Sequence, residues 1–203
     1  MTIPFLFGFA LGSIPFAWIV VRYFSRRDVS NEGSHNVGAL NASRVSKSKW
    51  VFLGVFLVDF LKGAAAVWLA AWWAGSWDFE VLAAAAAGAV AGHNYNPWLS
   101  LAQGKLVGGK GFAALAGASL VFRPWMVVAW LVTCALSMLF FRKARGIADE
   151  APASALATLS MIPWGYALYG VPSAWYGLAV SVLVVPKIIP ELITIFGSKD
   201  ATA

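Results

Sequence analysis

Charge is what this sequence has least of. Only 12% of its 203 residues are Asp, Glu, Lys or Arg, while 60% are hydrophobic and 11 are Trp. A soluble domain carries about 25% charged residues, so a water-exposed globular fold is excluded and a polytopic membrane protein is indicated. Cysteine is nearly absent. The single Cys134, inside an apolar run, excludes a disulfide within the chain and argues against a thiolate metal cluster. Histidine is almost as scarce, with only His35 and His93. No group of His, Cys and carboxylates has metal-ligand spacing, so neither a metal nor a cofactor is expected. The opening MTIPFLFGFALGSIPFAWIVV lacks a basic n-region and a small-residue cleavage site. It reads as a first span rather than a removed signal. No internal repeat and no matched pair of broken helices is visible, which argues against a generic transporter.

What is present is a series of apolar runs, at about 2–24, 50–74, 80–93, 111–122, 125–141, 154–169 and 172–186. They predict an all-α bundle of about seven transmembrane segments, forming one integral membrane domain over residues 1–203. The fourth run, GFAALAGASLVF, is too short at about 1.5 Å per residue for a hydrocarbon core of about 30 Å. It is expected beside a cavity, where irregular backbone is tolerated. The Trp residues read as interfacial anchors.

The basic residues are sorted between loops. Arg22, Arg26, Arg27, Arg44, Lys47 and Lys49 follow the first run; Lys105 and Lys110 follow the third. Arg142, Lys143 and Arg145 follow the fifth, and Lys187 and Lys199 lie in the tail. The opposite loops hold Asp78, Glu80 and only Arg123. The positive-inside rule makes the basic side cytoplasmic, with the N-terminus outside, the C-terminus cytoplasmic and an odd number of spans. The net charge of +6 is thereby a topology signal, not a nucleic-acid signal.

Two polar, glycine-bearing stretches fall on that same side. In EGSHNVGALNASR, Gly33 and Gly38 with Ser34 and Asn36 let backbone N–H groups converge into an anion-binding nest. Asn36, Asn41 and Ser43 add side-chain donors, and Arg44 can clamp a phosphate or carboxylate. The bland alternative is a cytoplasmic loop whose Gly and Asn residues only make turns. In GKLVGGKGF, Lys105, Gly108, Gly109, Lys110 and Gly111 precede a helix start and favour an anion. Gly111 replaces the hydroxyl residue of a nucleotide P-loop and no strand precedes it, which argues against nucleotide. The alternative is a basic loop touching anionic headgroups. DFLKG places Asp59 and Lys62 on one helix face inside the second run, as an ion pair locking helices together or as part of a site. GHNYNPW puts His93 at the end of the third run, as a base, a donor or a headgroup contact.

In order, GSIPFAW, GSHNVGALNASR, DFLKG, GHNYNPW and GGKGFAA resemble the bacterial membrane glycerol-3-phosphate acyltransferase family, the type that uses acyl phosphate. The match covers about residues 10–120, with weaker similarity around ASALATLSMIP. The resemblance implies a seven-span bundle with a cytoplasmic site. It implies an enzyme of phospholipid biosynthesis in the cell inner membrane. The 1-hydroxyl of glycerol 3-phosphate would attack an acyl phosphate, giving lysophosphatidate and phosphate. Ser34, Arg44, Lys110 and His93 would be catalytic. Gly33, Asn36, Gly38, Asn41, Lys105, Gly108, Gly109 and Gly111 would hold or shape the phosphate site. Positioning and charge stabilisation would carry the chemistry.

The sequence departs from the family pattern at several places. His35 stands where the family has glycine, Leu40 where it has threonine, and Val107 where it has lysine. In the tail, Lys187 and Pro190 stand where a His and an Asn are expected, and Lys199 where an acid is. The alternative function is therefore a divergent paralogue that binds or transports a phosphorylated small molecule or lipid.

Overall fold

The structure is a computed structural model and describes residues 1–197. The described residues form eleven α-helices and one 3-10 turn, with no strand. All seven apolar runs are helical, with ends within about one helical turn of those expected. Three helical stretches are long and apolar enough to cross a membrane by themselves: Thr2–Ser25, Lys49–Ala74 and Pro124–Arg145. A fourth is possible if Val171–Lys187 and Ile189–Gly197, bent by 55°, act as one. Lys199 lies outside the described residues. The chain forms two compact units, Met1–Phe122 and a second beginning at Arg123.

The first unit opens with a broken span. The sequence reads 2–24 as one run, but α1 (Thr2–Gly12) and α2 (Phe16–Ser25) are separate helices. Pro15 has no N–H to continue the ladder and its ring disfavours helical backbone before it. Two side chains satisfy carbonyls at the break. Asn96 Nδ2 donates to Ser13 O at 2.6 Å and Lys62 Nζ donates to Ile14 O at 2.8 Å. Such repair is needed where water is absent.

After α3 (Ala39–Ser46) comes α4 (Lys49–Ala74), then α5 (Phe79–Asn94), α6 (Pro97–Gln103) and α7 (Phe112–Phe122). α1 packs on α5 and α4 packs on α7 at backbone distance. A methyl added at Gly8 or Gly12 would overlap the backbone of α5, and one at Gly88 or Gly92 the backbone of α1. Gly63 and Gly117 do the same for α4 and α7. Small residues four apart allow this approach, which is how helices associate when lipid removes the hydrophobic drive. The tight packing places the middle of α4 beside the end of α5.

The second unit contains α8 (Pro124–Arg145), α9 (Ala151–Tyr169), α10 (Val171–Val184), the 3-10 turn Val185–Lys187 and α11 (Ile189–Gly197). Arg123 ties its helix ends together. Its Nε donates to Ser173 Oγ at 2.8 Å, and its guanidinium lies 4.7 Å from the Tyr169 ring centre.

Candidate active site

The first polar stretch is half loop and half helix. The sequence reads 32–44 as a loop, but residues from Ala39 on form α3, which starts after the extended Gly38. Asn41, Ala42 and Val45 are its buried residues, so an amphipathic turn on α4 overrides the loop composition. Asn41 is 1% exposed and organises the loop before it. Its Nδ2 donates to Val29 O and to Glu32 O, both at 2.9 Å, and its Oδ1 accepts from Ser34 N at 3.0 Å. Both carboxamide hydrogens are therefore engaged within the protein. Asn41 braces the loop, and Ser34 and Arg44 are exposed.

Residues that the sequence reading did not single out hold the same loop. Arg27 Nη1 donates to Val45 O at 2.6 Å, and its guanidinium pairs with Glu32. Asp28 accepts from the backbone and hydroxyl of Ser30. Burial alone would raise the Asp28 carboxyl pKa. Hydrogen bonds from Ser30 and Trp18 and the nearby Arg22 outweigh it, and the pKa lies below the ordinary carboxylate value. Gln103 Nε2 donates to Ser30 Oγ at 2.7 Å, tying α6 to this loop.

The second stretch, 104–111, is non-helical as expected, and it meets the first directly. Val37 N donates to Gly108 O at 3.0 Å. Gly109 N donates to His93 O at 3.0 Å, and Asn96 N donates to Val107 O at 2.9 Å. Glycine is required here by contact. A methyl at Gly108 would strike the backbone of Asn94, and one at Gly109 would overlap the His93 ring. Beneath the junction, Val29, Val37, Ala42, Val45 and Val107 share a core with Ala17, Val21, Val55 and Leu99. Val107 is thus a packing residue that anchors the second stretch where the family pattern carries a lysine. Lys110 is buried at 7% exposure, whereas Lys105 is exposed on the turn after α6.

His35 has φ +58°, in the left-handed region, and so does Gly33 at +63°. That backbone explains why glycine suits position 35, and it leaves the imidazole exposed at the loop's rim. Below the loops, Asp59 and Lys62 form an ion pair at 2.8 Å. His93 Nδ1 lies 3.7 Å from the same Asp59 oxygen. Ser34, Asn36, Gly38, Asn41, Arg44, His93 and 108–111 thus belong to one unit, around one backbone junction.

A carboxylate trio invisible in local spacing lies in the second unit. Asp149, Glu150 and Glu191 bring oxygens within 4.8 Å of one another. They are exposed or half-buried, as acidic groups without a bound ion often are.

Residues 2–196 match the family model described as glycerol-3-phosphate acyltransferase. The chain belongs to this family. A glycerol-3-phosphate acyltransferase of Sinorhizobium medicae is 38% identical over 136 residues, covering 65% of this chain and 62% of that protein. The chain thus spans less than two thirds of that relative's length. One of Nitrobacter winogradskyi is 36% identical, covering 81% of this chain and 77% of the relative. Among solved structures, the glycerol 3-phosphate form of PlsY (YgiH), an integral membrane glycerol 3-phosphate acyltransferase, superposes with TM-score 0.80. It is 26% identical and covers 97% of this chain and 92% of that one. The family match reaches well beyond the motif-bearing residues 10–120 and includes the altered positions Lys187 and Pro190. Membership in this family of membrane acyltransferases accords with the all-helical fold.

Proposed function

We propose that this chain transfers a fatty acyl group from acyl phosphate to the 1-hydroxyl of glycerol 3-phosphate, giving lysophosphatidate for phospholipid synthesis. A bond forms between the hydroxyl oxygen and the acyl carbon while the acyl C–O bond of the mixed anhydride breaks. The hydroxyl proton leaves with inorganic phosphate, so no external reactant is needed. Exposed Ser34 and Arg44, with the Asn36 side chain, hold one phosphate on a loop whose Ser34, His35, Val37 and Gly38 amides are bonded within the protein. Lys110 and the Gly108–Gly111 turn face phosphate from the other side. Charge that shifts onto the departing phosphate is stabilised by these preset donors, at low reorganisation cost. The supporting observation is the Val37–Gly108 hydrogen bond, which joins the two anion-favouring stretches at 3.0 Å.

The distribution of basic residues supports a multi-pass chain of about seven segments with this site on the cytoplasmic face and the N-terminus outside. The glycerol 3-phosphate and lysophosphatidic acid forms of the PlsY structures support the substrate and product assigned here. Lys187, in the 3-10 turn before α11, and Pro190, in the first turn of α11, motivate the second reading, a paralogue that binds a phosphorylated ligand without turning it over. Purified protein given palmitoyl phosphate and glycerol 3-phosphate should release phosphate and lysophosphatidate. Ser34→Ala or Arg44→Ala should slow this on the order of 100-fold. No turnover with any long-chain acyl phosphate, together with saturable glycerol 3-phosphate binding, would favour the second reading.

A further inference from the structure

Three ionisable side chains lie below the phosphate loops where the reaction as written does not use them. Asp59 is 1% exposed, Lys62 6% and His93 7%. Ionisable residues at such depth in a membrane helix are expensive and need a reason. Here they form a row. Lys62 Nζ holds Ile14 O at the α1–α2 break and the Asp59 carboxylate, both at 2.8 Å. The Asp59 oxygen stands 3.7 Å from His93 Nδ1. Beyond the ring, Nε2 lies against the Cα of Gly109, where a methyl would overlap it. The His93 carbonyl accepts from Gly109 N, and Gly108 O accepts from Val37 N. The row therefore ends on the backbone turn that presents Lys110.

We propose that His93 and Asp59 are positioning residues: His93 sets the Gly108–Lys110 turn through Gly109, and Asp59 orients the His93 ring. The Nε2 face is covered by a glycine, so it backs the loop from below and is not aimed at a substrate hydroxyl. The carboxylate beside Nδ1 favours the tautomer with the proton on that side and fixes the ring's rotation. Lys62 keeps the carboxylate compensated at this depth and joins the row to the helix break. Glycine at 109 is what admits the ring so close to the turn. The function read is the geometry of the phosphate loop, so substrate affinity rather than proton transfer should respond.

The kinetic readout rests on the acyltransferase reading, and binding provides a separate one. Asp59→Asn and His93→Gln should each raise KM for glycerol 3-phosphate about tenfold. They should leave kcat within about threefold and the pH dependence of kcat unchanged. A kcat loss of about 100-fold with KM unchanged and the acid limb of the pH profile gone would make His93 the base and overturn the proposal. Unchanged KM and kcat would overturn it too. Should Asp59→Asn not fold, Asp59→Asn combined with Lys62→Met removes both charges, and the same KM shift is expected. If the wild type shows no turnover, the acyltransferase reading fails by itself. Calorimetric titration with glycerol 3-phosphate then decides: a tenfold weaker Kd in the variants supports the positioning role, and an equal Kd refutes it.

Discussion

The Val37 amide donates to the Gly108 carbonyl at 3.0 Å, so two stretches separated by about seventy residues share one backbone junction. Adding a methyl to Gly108 forces it into the Asn94 carbonyl, on rigid backbone. Gly108→Ala should lower stability by about 3 kcal/mol or more and abolish activity. Gly104 is a control. It has φ +63° but open space around it, so Gly104→Ala should cost only about 1 kcal/mol of left-handed strain. Thermal unfolding in detergent, read beside phosphate release, separates the two.

Asn41→Ala removes three hydrogen bonds from a site with 1% exposure. The stranded Val29 and Glu32 carbonyls make a loss of about 2–4 kcal/mol the expected outcome. Asn41→Asp should be no better, since a carboxylate would face the same two carbonyls. Equilibrium unfolding of both variants checks this, and stability near wild type for either would contradict it.

His35→Gly should stabilise the protein by about 0.5–1 kcal/mol. Relief of the left-handed backbone at φ +58° exceeds the greater unfolded-state entropy of glycine. A shift of the denaturation midpoint is the measurement, and a destabilised variant would show that the imidazole makes a compensating contact.

Lys62→Met alone leaves the Asp59 carboxylate buried and uncompensated, a change expected to cost about 3–5 kcal/mol. Asp59→Leu combined with Lys62→Met should recover most of that stability, although Ile14 O still loses its donor. Comparing single and double variants by thermal unfolding tests whether the pair is needed as a pair.

The Asp28 carboxyl has a pKa lowered in the folded state, so it binds protons less readily than in the unfolded chain. Its stabilisation of the first loop is present above the ordinary carboxylate pKa of about 4 and is lost as pH falls through the lower folded value. Amide exchange at Ser30, whose N–H donates to Asp28 at 3.0 Å, should be steady at neutral pH. After correction for intrinsic rates it should accelerate only in acid. Asp28→Asn should remove most of that acid dependence.

The helices were legible because long apolar runs bounded by polar loops leave few alternatives in lipid. The non-helical character of 104–111 was legible from its glycines. Three things were hidden. The break at Pro15 depends on Lys62 and Asn96, side chains distant in sequence that satisfy Ser13 and Ile14. The helix Ala39–Ser46 forms because Ala42 and Val45 find a shared core, which local composition does not reveal. Arg27 and Gln103 look like ordinary loop residues until the fold places Val45 and Ser30 beside them. Long-range partners, rather than local propensity, decided each of these.

The most direct measurement is a crystal structure of this chain soaked with glycerol 3-phosphate. Phosphate density is expected within hydrogen-bond distance of residues from both 33–44 and 108–111, with Ser34 or Arg44 on one side and Lys110 or the glycine amides on the other. Phosphate held by only one of these stretches, or bound elsewhere in the protein, would contradict the shared site.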